Sequence, residues 1–114
     1  MKGPRPNISG YRGMWLFALF DLPVETKTQR RQYTKFRKEL LKKGFTMLQY
    51  SVYARYVASE ETGEIIKKQL KPDIPPEGQV RILMVTDKQF GKMEVFYGER
   101  REAAEDPPMQ LSFF

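Results

Sequence analysis

Met14-Trp15-Leu16-Phe17-Ala18-Leu19-Phe20-Asp21-Leu22-Pro23 is the stretch that decides the fold. Its first seven residues are apolar without interruption, with Gly13 before them and Asp21 and Pro23 after. A short run with no polar alternation predicts a strand buried on both faces, and therefore a central one. Downstream, Thr26 and Gln29 have the spacing of a capping box, which starts a helix. Tyr33, Phe36, Leu40 and Leu41 recur at helical spacing, and Gly44 stands where a glycine stops a helix. At 100° per residue, Lys27, Arg31, Lys35, Lys38 and Lys42 fall opposite that apolar stripe.

Phe45 to Val57 is rich in aromatic and β-branched residues but too long for one strand. It is read as two strands around the polar corner Gln49-Tyr50-Ser51. Ser59, followed by Glu60 and Glu61, predicts a second helix whose apolar face is Ile65, Ile66 and Leu70. Pro72, Pro75 and Pro76 end it. Val80 to Thr86 is another dense apolar strand; Gly91 breaks the chain, and Met93 to Tyr97 is expected as one more short strand before Gly98. The order is strand, helix, strand, strand, helix, strand, with an extra strand at the end. This α+β order predicts the split βαβ arrangement of ferredoxin-like folds, βαββαβ, with the first strand between the third and fourth.

The length of 114 residues suits one domain. The expected organisation is a leader over 1–13, a ferredoxin-like domain over 14–98 and a tail over 99–114. The leader is polar and lacks the apolar core of a signal peptide, so it is read as a mobile leader on a cytoplasmic protein. No apolar stretch approaches the roughly 18 residues needed to cross a membrane, and no membrane partner is expected. In the tail, Pro107 and Pro108 precede Phe113 and Phe114, which are costly to leave in water and are expected to dock.

Twenty Lys and Arg against fourteen Asp and Glu give a net charge of +6, which favours a polyanionic partner. Cysteine is absent, which excludes disulfides, thiolate metal sites and cysteine nucleophiles. Histidine is absent too, so hydrolysis would have to use carboxylates with a hard metal ion, or Lys, Tyr or Ser. Eight basic residues and one acid lie between Lys27 and Lys43, which points to phosphate contact by Lys27, Arg30, Arg31, Lys35, Lys38 and Lys42.

The topology also sorts the acids. Strands one and two run parallel, so Asp21 and the Gln49–Ser51 corner share one end of the sheet, while Asp87 falls at the other. Asp21 has no second carboxylate beside it in its own chain and, on its own, merely closes the strand in an Asp-Leu-Pro turn. A two-fold axis at that end would pair Asp21 with its copy, enough to hold one magnesium ion. Tyr50, Tyr53 and Tyr56 suggest base stacking, but the RNP signature is missing and packing is the favoured use.

Taken in order, these residues resemble the CRISPR-associated protein 2 family, the small partner of the spacer integrase. The resemblance runs from about Met14 to Tyr97. It rests on the apolar strand ending in Asp21, the basic helix, Gln49-Tyr50-Ser51-Val52-Tyr53 and the closing apolar strand. Phe20-Asp21-Leu22-Pro23 and Leu111-Ser112-Phe113-Phe114 are similar to members from type II systems. The resemblance implies a homodimer in which the last strand, Met93 to Tyr97, crosses to the partner's sheet. Gln49, Ser51, Met93, Val95 and Tyr97 would then lie at the dimer interface. It also implies a bridge between two dimers of the integrase, CRISPR-associated protein 1, carrying a short double-stranded DNA. Asp21 matches an aspartate that serves as a magnesium (Mg2+) ligand for endonuclease activity on RNA or DNA. The competing expectation is a stand-alone metal-dependent ribonuclease or RNA-binding domain that needs no integrase.

Overall fold

The computed structural model describes residues 13–98. The leader before Gly13 and the tail after Gly98, with its terminal phenylalanines, lie outside the described residues. Four strands and three α-helices follow in the order β1 (Met14–Asp21), α1 (Lys27–Lys42), β2 (Thr46–Gln49), β3 (Val52–Val57), α2 (Glu60–Leu70), β4 (Gln79–Thr86) and α3 (Asp87–Gly91). A 3-10 turn, Lys71–Asp73, follows α2 where the proline-rich stretch begins. The four-stranded sheet has the order β2-β3-β1-β4. β1 pairs antiparallel with both β3 and β4. This is the ferredoxin-like topology, with the apolar run at its centre.

Alternation along β1 separates two faces. Leu16, Ala18 and Phe20 point to the helices and join Phe36 and Leu40 of α1, Tyr53 and Val57 of β3, and Ile66 and Leu70 of α2 in one core. Trp15, Phe17, Leu19 and Asp21 take the other face. There Phe90 of α3 stacks on Trp15 with ring centroids 3.9 Å apart and packs against Phe17 at 5.8 Å. Trp15 Nε1 also donates to Asp87 Oδ1 at 2.8 Å, fastening α3 to the strand. The rest of this second face stays open: Leu83 is 53% exposed and Leu48 41%.

The helix boundaries follow from local chemistry. Thr26 caps α1 through its side chain, and Gln29 returns the bond to the Thr26 N–H, a complete capping box. At the other end Gly44, at φ +86°, lets its N–H reach Leu41 O while Phe45 N reaches Leu40 O. That is a Schellman stop, and Phe45 and Leu40 meet in the core as the motif requires. Ser59 caps α2 by accepting from Thr62 N, with Glu60 and Glu61 in the first turn. Leu41 and Ile65, expected on apolar faces, are exposed instead. A neighbour 100° round the helix from Leu40 or Ile66 cannot share the same contact with the core.

Beyond β4 the outcome differs from the sequence expectation. Asp87–Gly91 forms a short helix, capped by a second capping box between Thr86 and Gln89. Met93 to Gly98 belongs to no strand. A strand needs a ladder partner, and the partner expected for this segment belongs to a second chain.

Candidate functional site

The outward face of α1 is a row of cations. Lys27, Arg31, Lys35 and Lys38 form no ion pair among the described residues, while Lys42 lies 3.4 Å from Glu39. With Arg30, Thr34 and Glu39 they border a shallow groove of about 540 Å³. Arg30, expected with them as a phosphate ligand, has a different first occupation. Its NH1 group donates to the carbonyls of Val24 at 3.1 Å and Glu25 at 2.9 Å, so it clasps the loop that leaves β1.

Two further contacts fix this helix. Lys43 Nζ pairs with Glu39 at 3.2 Å and with Asp73 at 3.0 Å, joining the end of α1 to the 3-10 turn. The Asp73 hydrogen bond is the main cause of the raised Lys43 pKa, and Lys43 in turn holds the Glu39 carboxyl below its ordinary value. Arg55 of β3 donates to the Lys43 carbonyl at 2.7 Å, satisfying an orphan acceptor of the helix terminus.

Asp21 ends β1, exposed, opposite Gln79 at the start of β4. Arg81 and Gln79 lie on the same face of β4 and are joined by a hydrogen bond of 2.7 Å. As the topology predicted, the Gln49–Ser51 corner is at this end, with Phe20 N donating to Ser51 O at 3.1 Å. Asp87 is at the other, where its N–H meets Gly13 O at 3.0 Å. One acid escaped the sequence reading. Glu77 reaches the Asp21 end through the turn before β4, but its carboxylate accepts from Gln29 Nε2 at 3.0 Å. Its signal was only its position just before β4, which nothing in composition singles out.

The donor set around Asp21 does not by itself fit a magnesium ion. Among the described residues no group of three or more potential ligands converges. One carboxylate leaves nearly the whole octahedral shell to water. A centre would need a second Asp21 from another copy.

The residues expected at a dimer interface divide. Gln49, Met93, Val95 and Tyr97 line one groove of about 500 Å³ on the open sheet face, together with Phe17, Leu48, Val52 and Phe90. Ser51 is elsewhere. It occupies the hairpin tip at φ +62°, a conformation uncommon for residues other than glycine. Its hydroxyl lies 3.1 Å from that of Tyr33. Burial pushes the Tyr33 phenol up to about 12, partly offset by the Ser51 hydrogen bond. Of the three tyrosines considered for stacking, Tyr53 is fully buried, whereas Tyr56 and Tyr50 are exposed. The Tyr53 hydroxyl forms no well-made hydrogen bond among the described residues; burial raises its pKa, and the nearby Arg37 guanidinium partly offsets the rise. No helix among the described residues is long and apolar enough to cross a membrane.

The family model described as CRISPR associated protein Cas2 matches residues 14–93. A CRISPR-associated endoribonuclease Cas2 from Parvibaculum lavamentivorans is 46% identical over 101 residues, covering 89% of this chain and 100% of the relative. A protein of the same name from Flavobacterium psychrophilum is 41% identical over 108 residues, or 95% of this chain and 94% of the relative. Another, from Streptococcus mutans, is 36% identical over 100 residues, with 88% and 92% covered.

Proposed function

Since this chain belongs to the Cas2 family of CRISPR-associated proteins, we propose that it is a homodimeric scaffold of CRISPR adaptation in the cytoplasm. In this reading it binds short double-stranded DNA and bridges dimers of the spacer integrase. The observation that carries the reading is the row of free cations on α1, presented away from the core by a helix fixed at both ends. Such a row neutralises phosphates without reading bases, so affinity should fall steeply with salt. The open sheet face and its apolar groove supply the dimer contact, with Met93, Val95 and Tyr97 contributed by the segment after α3. Two copies joined there would present two α1 rows.

The test is insertion of a labelled duplex into a repeat-bearing plasmid by the cognate integrase, with this protein, with Asp21→Ala, and without either. Stimulation by both versions is the expected result. No stimulation by either would refute the scaffold.

A second activity, metal-dependent phosphodiester hydrolysis, draws support from the word endoribonuclease in the relatives' names and from the placement of Asp21. Asp21 from each of two chains would hold one magnesium ion. When bound, that ion lowers the pKa of a water and polarises a phosphate. Each chain contributes one of the paired carboxylates and, through α1, a grip on the backbone. Cleavage of RNA or DNA should require magnesium and disappear in Asp21→Ala; cleavage that survives the substitution counts against the site.

A further inference from the structure

Tyr50 stands apart from everything assigned so far. It sits at the tip of the β2–β3 hairpin, 71% exposed, yet its ring does not hang free in solvent. Tyr33 of α1 backs it, with centroids 5.9 Å apart and planes 17° from parallel. Tyr33 is held in turn by the Ser51 hydroxyl and by Phe20, 5.8 Å away between ring centroids. Ser51 adopts its positive φ immediately beside Tyr50, so the turn accepts a costly conformation where this ring is displayed. The backing residue belongs to α1, which places Tyr50 on the helix side of the hairpin. It is also absent from the lining of the apolar groove expected to meet a second copy.

An exposed aromatic with one face supported and the other open is a stacking surface. Its neighbours decide what stacks there. The hairpin tip shares its end of the sheet with Asp21 and is bonded to β1 through Phe20 N. On this side α1 supplies a cation, Arg37, one turn on from Tyr33, whose charge acts on the same Tyr53 phenol as Tyr50 does. Planar aromatic and positive charge side by side suit a nucleobase and its phosphate. We propose that Tyr50 is a stacking platform for an unpaired nucleobase, held at the Asp21 end of the sheet while α1 grips the neighbouring backbone. The proposal rests on the nucleic-acid reading above. It adds a residue that discriminates unpaired from paired nucleotides, because a base inside a duplex has no free face to offer.

The experiment compares the full-length protein with Tyr50→Ala and Tyr50→Phe on three probes: single-stranded DNA, single-stranded RNA and blunt duplex DNA. Each single strand carries a fluorescent purine analogue whose emission drops on stacking. Quenching by the wild type and by Tyr50→Phe is expected. Tyr50→Ala should abolish quenching and weaken single-strand affinity by about 5-fold to 100-fold, with blunt-duplex affinity nearly unchanged. Equal behaviour on RNA and DNA supports a platform that reads the base alone, and stronger binding of RNA supports one with an added sugar contact. The proposal is overturned if Tyr50→Ala keeps full quenching, or loses duplex and single strands alike. It is also overturned if the substitution affects only binding of the integrase protein. Failure of the wild type to bind any of the three probes would instead remove the nucleic-acid reading itself, and the platform with it.

Discussion

Replacing Gly78 by alanine tests how tightly β4 is locked against the end of β1 that carries Asp21. Gly78 adopts φ +93°. A Cβ there would lie 2.6 Å from the Asp21 carbonyl oxygen, 2.9 Å from Leu22 Cδ2 and 3.0 Å from Leu22 Cα. The positive φ costs an L-residue about 1–2 kcal/mol. Pressing a methyl into backbone that has no rotamer to yield adds about 1–3 kcal/mol. The total, about 2–5 kcal/mol, is a large share of the ~5–15 kcal/mol by which domains of this kind are stable. Urea denaturation at fixed protein concentration should show the midpoint falling by about 1–2 M with the slope unchanged. Gly91→Ala is the control, because a Cβ at that position meets nothing within 4 Å. It should be neutral or stabilising by up to about 1 kcal/mol. A Gly78→Ala midpoint equal to that of Gly91→Ala would mean that β4 does not approach Asp21 as closely as described. If the close approach also sets the position of Asp21, any magnesium-dependent cleavage per folded molecule should drop in Gly78→Ala.

Three other outcomes follow from the packing and charge. Tyr53→Phe removes a buried hydroxyl that lacks a well-made partner among the described residues, so thermal denaturation should show a gain of up to about 1 kcal/mol; a loss would mean that the nearby Arg37 guanidinium, whose charge acts on that phenol, satisfies it. Because Tyr33 ionises only at about 12 in the fold rather than at the ordinary 10.0, its contribution is complete below pH 10 and is lost as pH rises toward 12. The ring is partly exposed, so the loss should be at most about 1 kcal/mol; Tyr33→Phe should remove one late phenolate from an absorbance titration and leave that of Tyr53, also raised by burial. Lys35→Ala and Lys38→Ala should each flatten the slope of log affinity against log salt for a duplex by roughly 1. Arg30→Ala should change that slope less, because its NH1 group is engaged with two carbonyls.

Most of the scaffold could be read from residues that act locally. The unbroken β1 run marked the central strand. The Thr26–Gln29 box and the Gly44 stop bounded α1, and the corner at Gln49–Ser51 divided the hairpin. Each of these is a near-neighbour effect. The short helix α3 was missed although Thr86 and Gln89 repeat the spacing of Thr26 and Gln29. Five residues carry too little periodicity to register, and what fastens them is a stack of Phe90 on Trp15, 75 positions away in sequence. The same limit applies at the site. Topology correctly placed Asp21 with the hairpin corner and away from Asp87. It could not show that Arg30 turns back to its own loop, or that Tyr33 supports Tyr50, because both depend on side-chain directions fixed only by the packed fold.

α1 enters any encounter already ordered. Thr26 and Gln29 hold its start, Arg30 ties down the loop before it, and Arg55, Lys43 and Asp73 secure its end. A cationic segment that folded only on its target would surrender about 1–2 kcal/mol of backbone entropy per residue at that moment. Here that loss has been absorbed in folding, so each phosphate contact keeps more of its free energy. The same rigidity spaces the attachment points of the charges along about 24 Å of helix, with only the side-chain stems left to adjust. A polyanion must therefore fit the row as it stands, which favours a stiff backbone of matching pitch over a coiled strand carrying the same charge.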